Sequence, residues 1–141
     1  MTTHAAPPEG FEPHFRKSPL TKPWEPIFSR REKDRVIIGL YAREPHTNSR
    51  GMVHGGLIAA LADNAMGLSC VAVLTGEGRK PEGGLVTVSM ATDFVGAAKL
   101  GQWVAFDTQY VKTGRTLCFA QAFVTADGEV IGRADARFKV L

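Results

Sequence analysis

Residues 57–74, LIAALADNAMGLSCVAVL, constrain the fold more than any other stretch of this chain. The run is long enough for a substantial helix, and its leucines, alanines, valines, isoleucine and methionine leave no consistently wet face. A helix apolar on all sides is buried on most of them. Asp63, Asn64 and the flanking glycines interrupt it too much for a good bilayer span. The expectation is a core helix wrapped by whatever else the chain makes.

Such burial makes Asp63 expensive, because an ionised carboxylate in an apolar setting must be paired, hydrogen-bonded or shifted in pKa. Groups held that way are over-represented at active sites. Just before the run stands His54-Gly55-Gly56. It places two residues without Cβ where the first helical N–H groups lack intrahelical partners, a natural cradle for a carbonyl oxygen or an anion. His54 and Asp63 are separated by about two and a half helical turns, roughly 180° and 13.5 Å. One helix cannot aim both at a single bond. Two copies packed antiparallel across a two-fold axis can, so the spacing argues for a site shared between subunits.

The rest of the chain reads as strands. Residues 36–42 (VIIGLYA) suit a first strand, 43–50 form a polar loop, and 75–84 form a glycine-rich, charged loop after the helix. Four strand-like runs follow at 85–95, 102–112, 116–126 and 129–140, read as a meander; Asp127-Gly128 is a strong hairpin signal. One strand, a long buried helix and an antiparallel sheet give an α+β chain. Residues 1–34 hold six of the eight prolines and favour irregular structure or short turns. Phe11, Phe15, Trp24, Ile27 and Phe28 are nevertheless apolar enough to pack on the domain.

Composition narrows the partners. The chain has 141 residues, 44% of them apolar, and a net charge of +3 with pI near 9.1. That suffices for one domain with a real core. No basic stripe interleaved with aromatics accompanies the positive balance, so nucleic acid is not expected. Cys70 and Cys118 lie in apolar runs and suit buried packing roles; no metal-ligand spacing is present. The first residues carry neither an apolar leader nor a twin arginine, so a cytoplasmic location is expected and a membrane is not.

Asn48, His54-Gly55-Gly56 and Asp63 together resemble the hotdog-fold acyl-CoA thioesterases of the phenylacetate-pathway (PaaI-type) family. LVTVSMATDFVGAAKLGQ after the helix and Gly114-Arg115-Thr116 are similar to that family's next strand, turn and hairpin. The resemblance covers roughly 35–141, leaving 1–34 as a proline-rich extension packing on the hotdog domain. It implies a long central helix wrapped by a curved antiparallel sheet, and hydrolysis of acyl-CoA to a carboxylic acid and free coenzyme A. Coenzyme A is then part of the substrate, with no separate cofactor and no metal. The acyl group is expected to be small aromatic or short to medium chain, and the protein a homodimer or a tetramer built as a dimer of dimers.

The resemblance also implies roles. Asp63 is general base or nucleophile. The Gly55 N–H polarises the thioester carbonyl, with the Asn48 amide sharing that oxygen or orienting the site. His54 holds the loop, orients Asn48 or contacts the sulfur. Thr87 matches a position where relatives place a hydroxyl that holds water, and strand alternation puts Ser89 and Asp93 on its face. Gly56, Trp24, Phe28 and Arg115 are candidate substrate contacts, Trp24 and Phe28 for the acyl group and Arg115 for the coenzyme A phosphates. A hotdog dehydratase or hydratase and a non-catalytic acyl-CoA-binding regulator are the alternatives. The loop Asn48 and the His54–Asp63 layout favour hydrolysis, and a proline-broken N-terminus cannot form the DNA-binding module such a regulator carries.

Overall fold

The computed structural model describes residues 5–141. Among them lie one α-helix, α1 (Gly55–Gly76), and seven strands. The strands are β1 (Glu12–Pro13), β2 (Phe28–Arg31), β3 (Val36–Tyr41), β4 (Leu85–Phe94), β5 (Trp103–Thr113), β6 (Leu117–Ala126) and β7 (Glu129–Val140). They pair antiparallel in one sheet of order β1-β2-β3-β5-β6-β7-β4. The helix lies on this sheet, which is the expected α+β hotdog architecture.

The turns follow from local chemistry. Asp127 and Gly128 adopt φ of 48° and 85°, the left-handed pair that a tight hairpin between β6 and β7 requires. Between β5 and β6 the Gly114 N–H donates to the Leu117 carbonyl, so closely that a Cβ at Gly114 would stand 2.8 Å from that oxygen.

Against the helix, the sheet presents small buried residues, Ala120, Ala122, Ala134 and Ala136, flanked by Ile38, Leu40, Phe106 and Phe138. Alanines under the middle of α1 let helix and sheet backbones approach, and the larger side chains fill the sides. From the helix come Leu57, Ile58, Leu61, Ala62, Ala65, Met66, Cys70 and Leu74. Ser69, fully buried, pins the helix to β3: its Oγ donates to the Ala65 carbonyl (2.7 Å) and accepts from the Val36 N–H (3.1 Å). Cys70 and Cys118 are buried, and burial pushes the Cys70 thiol up to about 12, which keeps it inert.

Three expectations are corrected. The helix is not buried all round: Ala59, Ala60, Asp63, Asn64, Gly67, Leu68, Val71 and Ala72 remain only half-buried, since one sheet layer covers one side. The last four strands are not a simple meander. β5 has both edges occupied by β3 and β6, so β4 crosses to the sheet margin and pairs with β7 alone. The N-terminal segment is more regular than its prolines suggest, because β1 and β2 extend the sheet beyond β3.

Ile27 enters the core, and half-buried Trp24 packs against it. Phe11, Phe28 and Tyr41 gather around Trp103 on the sheet face away from α1. Phe15 departs from expectation and stays largely exposed under the Arg31 guanidinium, 3.5 Å from its ring centroid. Buried His46 ties the segment down: its Nδ1 accepts from the Arg43 N–H and its Nε2 bonds the Trp24 carbonyl (2.8 Å).

Gly39 makes the aromatic cluster possible. A Cβ there would overlap the Trp103 ring. Gly39→Ala must therefore displace the indole, and the expected cost is about 1–3 kcal/mol. Urea unfolding followed by tryptophan emission measures it, and an unchanged midpoint contradicts the packing described.

Candidate active site

The loop before α1 is built around Asn48. Its side-chain Oδ1 accepts from the backbone N–H groups of Arg50 (2.9 Å) and Met52 (3.2 Å), and Gly51 supplies the left-handed φ of 75° that the turn needs. Two backbone donors fix which amide atom is oxygen, leaving Nδ2 as a donor with no partner among the described residues. The loop is clamped from outside: Val53 N–H donates to the Ala98 carbonyl (2.9 Å), and Met52 bridges Lys99. The GAAKLG connection between β4 and β5 thus shapes the entry to the helix.

His54 is the N-cap of α1, its exposed Nδ1 accepting from the Gly56 N–H at 2.8 Å. That bond engages the Gly56 donor. The Gly55 N–H carries no such bond and points with the helix's positive end toward whatever occupies the N-terminus. Phe94 covers this end, its ring 3.2 Å from where a Cβ of Gly55 would sit.

Asp63 lies two turns further along. It is half-buried rather than deeply buried, and its Oδ1 accepts a short hydrogen bond, 2.6 Å, from the Thr87 hydroxyl on β4. Strand alternation alone does not reveal how β4 achieves this. Thr87 pairs with Phe138 and Ser89 with Arg137, so Val88 is an extra residue in a bulge. The bulge reverses the pleat, a change of phase that alternation alone does not anticipate. Thr87 faces α1 before it, and Met90, Thr92 and Phe94 sit opposite Ala136, Ala134 and Gly132 after it. Ser89 and Asp93 therefore do not share the face of Thr87; Asp93 turns outward to pair with Arg133 at 2.8 Å. The same irregularity aims Thr87 at Asp63 and Phe94 at Gly55.

Beside Asp63, Asn64 and Thr87 opens a cavity of about 300 Å³. Leu68, Val71 and Phe138 supply apolar wall, and Arg16 from the N-terminal segment closes one side. Neither Arg16 nor His14 stood out in the sequence. Buried His14 reaches across fifty positions to Asn64, Nε2 to Oδ1 at 3.1 Å, and burial lowers its pKa. His46 is lowered in the same way by burial. Both imidazoles are favoured in the neutral form, as hydrogen-bonding wedges.

The structure does not bring every candidate together. Asp63 and Thr87 touch, and Asn48, His54, Gly55 and Gly56 cluster at the helix start. Trp24 gives its carbonyl to His46, and Phe28 packs on Trp103 on the opposite face of the sheet. Arg115 sits in the β5–β6 turn, where its carbonyl accepts from Arg79 just beyond the C-terminal end of α1. None of these three lines the cavity. On one chain the Gly55 N–H and Asp63 are separated by about 12 Å of helix rise.

Comparisons with known proteins agree with this fold. Residues 50–132 match the family model described as the thioesterase superfamily. A Pseudomonas aeruginosa protein provisionally named an esterase is 35% identical over 132 residues, 93% of this chain and 95% of its own length. Human acyl-coenzyme A thioesterase 13 is 36% identical over 101 residues, covering 70% of this chain and 68% of its own. Among solved structures, a mutant of the phenylacetic acid degradation protein PaaI from Thermus thermophilus superposes with a TM-score of 0.74 at 19% identity, covering 88% of this chain and all of its own (100%).

The cap geometry makes His54 a stability residue in the first instance. His54→Ala leaves the Gly56 N–H without its side-chain partner and is expected to cost about 1 kcal/mol. His54→Asn, which restores an acceptor at that position, is expected to recover most of it. Thermal unfolding of the two variants checks this, and identical melting for alanine and asparagine removes the cap argument.

Proposed function

Because this chain belongs to the thioesterase superfamily and is a thioester hydrolase, we propose that it cleaves acyl-CoA at a site shared by two copies of itself. Asp63 of one chain activates water, and the Gly55 N–H and Asn48 amide of the other receive the thioester oxygen. The observation that carries the reading is the Thr87–Asp63 hydrogen bond. With Oδ1 held by the hydroxyl, Oδ2 is the oxygen left to take a proton from water, and the carboxylate is oriented before substrate arrives.

The reaction balances simply. Water adds its oxygen to the thioester carbon while its proton passes to Asp63. The negative charge on the former carbonyl oxygen is met by the Gly55 N–H at the positive end of α1 and by Asn48 Nδ2. Collapse of this tetrahedral species breaks the C–S bond and releases the acyl group as a carboxylic acid, while the proton held on Asp63 passes to the departing thiolate or to solvent, giving free coenzyme A and restoring the carboxylate. Thiolate is a good leaving group, so placing water and stabilising the oxyanion are the main demands.

Two features support the shared site. The roughly 12 Å along one helix separates the donors from the acid within a chain. β4 is also an edge strand paired on one side, with Val86 and Val88 at 49% and 59% exposure, beside the half-buried outer face of α1. An open apolar edge of this kind is normally covered, and a two-fold copy covers it while bringing the two half-sites together. The dehydratase alternative needs a histidine free for acid/base work, but the His54 ring is committed as the helix cap, its Nδ1 engaged by the Gly56 N–H.

Subunit mixing tests this directly. Asp63→Ala and Asn48→Ala are each expected to be nearly inactive while keeping the fold, since both side chains are only partly buried. When equal amounts exchange subunits, about half the dimers are mixed, and each mixed dimer carries one site with both lesions and one with neither. Acyl-CoA hydrolysis, followed by thiol release, should return to roughly a quarter of wild type by the same counting. Demonstrated exchange without any recovery means that both residues act within one chain.

A further inference from the structure

We propose that Arg16 is a specificity-determining residue that selects acyl groups whose far end carries an oxygen acceptor, a carboxylate above all. The proposal rests on the thioesterase reading, because it takes the cavity beside Asp63 as the acyl site.

The cavity is asymmetric. Asp63, Asn64 and Thr87 occupy its reacting end, and Leu68, Val71 and Phe138 form a wall suited to methylenes. Arg16 is the one cation lining it, and among the described residues it has no ion-pair or hydrogen-bond partner. Other arginines of the chain, such as Arg35, Arg133 and Arg137, are paired to carboxylates. A guanidinium left unpaired at the rim of a partly apolar cavity matches a planar carboxylate and forms strong charge-assisted bonds with it.

Arg16 is also held where it can act. Two residues before it, His14 is 5% exposed, donates its backbone N–H to the Ile27 carbonyl (2.9 Å) and bonds Asn64 through Nε2. Asn64 belongs to the same cavity wall. The segment is therefore anchored to α1 at the residue next to the acid, and the freedom left to Arg16 is mainly that of its own side chain. An anchored cation loses less entropy on engaging a ligand than one on a mobile tail.

Adipoyl-CoA and hexanoyl-CoA share chain length and differ in the terminal carboxylate. In wild type the kcat/KM ratio of adipoyl-CoA to hexanoyl-CoA is expected to exceed about ten, the scale of a charge-assisted hydrogen bond. Arg16→Gln should lower that ratio about tenfold, mainly through the KM of adipoyl-CoA, and Arg16→Lys should restore part of it. Calorimetric binding of adipate against hexanoate to the intact protein reads the same preference without turnover. If no acyl-CoA is hydrolysed, the thioesterase reading fails while calorimetry still decides the role of Arg16. Equal handling of the two acyl groups by wild type overturns the proposal. So does an Arg16→Gln variant that slows both substrates equally and weakens free coenzyme A, because the arginine then serves the nucleotide.

Discussion

The structure depends on how one sheet covers one helix. α1 is apolar nearly all the way round, and a single antiparallel layer can bury only the half that faces it. The alanines of β6 and β7 draw the helix in, and Ser69 pins it to the backbone of β3. The far half of the helix, with Asp63 and Asn64, is left over the open margin beside β4. An acid in that position remains near water yet next to an apolar cavity, which suits a group that must exchange protons and also meet an acyl chain.

The geometry of the candidate site then follows from one irregular residue pair. Without the Thr87/Ser89 bulge, the pleat of β4 would carry Ser89 and Asp93 toward the helix and turn Phe94 outward. With the bulge, Asp93 finds Arg133 on the outer face, Thr87 holds Asp63, and Phe94 covers the N-terminal end of α1. The loop around Asn48 shows the same economy, since backbone donors consume its oxygen and so present its nitrogen.

The N-terminal extension is joined to the domain by specific bonds rather than by apolar contact alone. His46 holds the Trp24 carbonyl, His14 holds Asn64, and β2 continues the sheet from β3. Both imidazoles are kept toward the neutral state by burial. Their contribution to stability is present above the ordinary histidine pKa of about 6.5 and is lost as acid protonates the unfolded chain first.

The sequence by itself determined the helix, the strand runs and the Asp-Gly hairpin, because apolar periodicity and left-handed turn residues act over a few positions. It also determined that Gly55 and Asp63 stand at a fixed helical interval, which is why a single chain cannot aim both at one bond. Only the tertiary structure decided that β4 pairs with β7 instead of β5, because strand partners depend on which edges are already taken. It also decided that Trp24 and Phe28 stay away from the cavity and that His14 and Arg16 approach it. Those contacts join residues about fifty positions apart, and no local pattern encodes them. The bulge at Val88 belongs with them: its residues are ordinary strand formers, and the change of phase comes from fitting β4 simultaneously to β7 and to the helix.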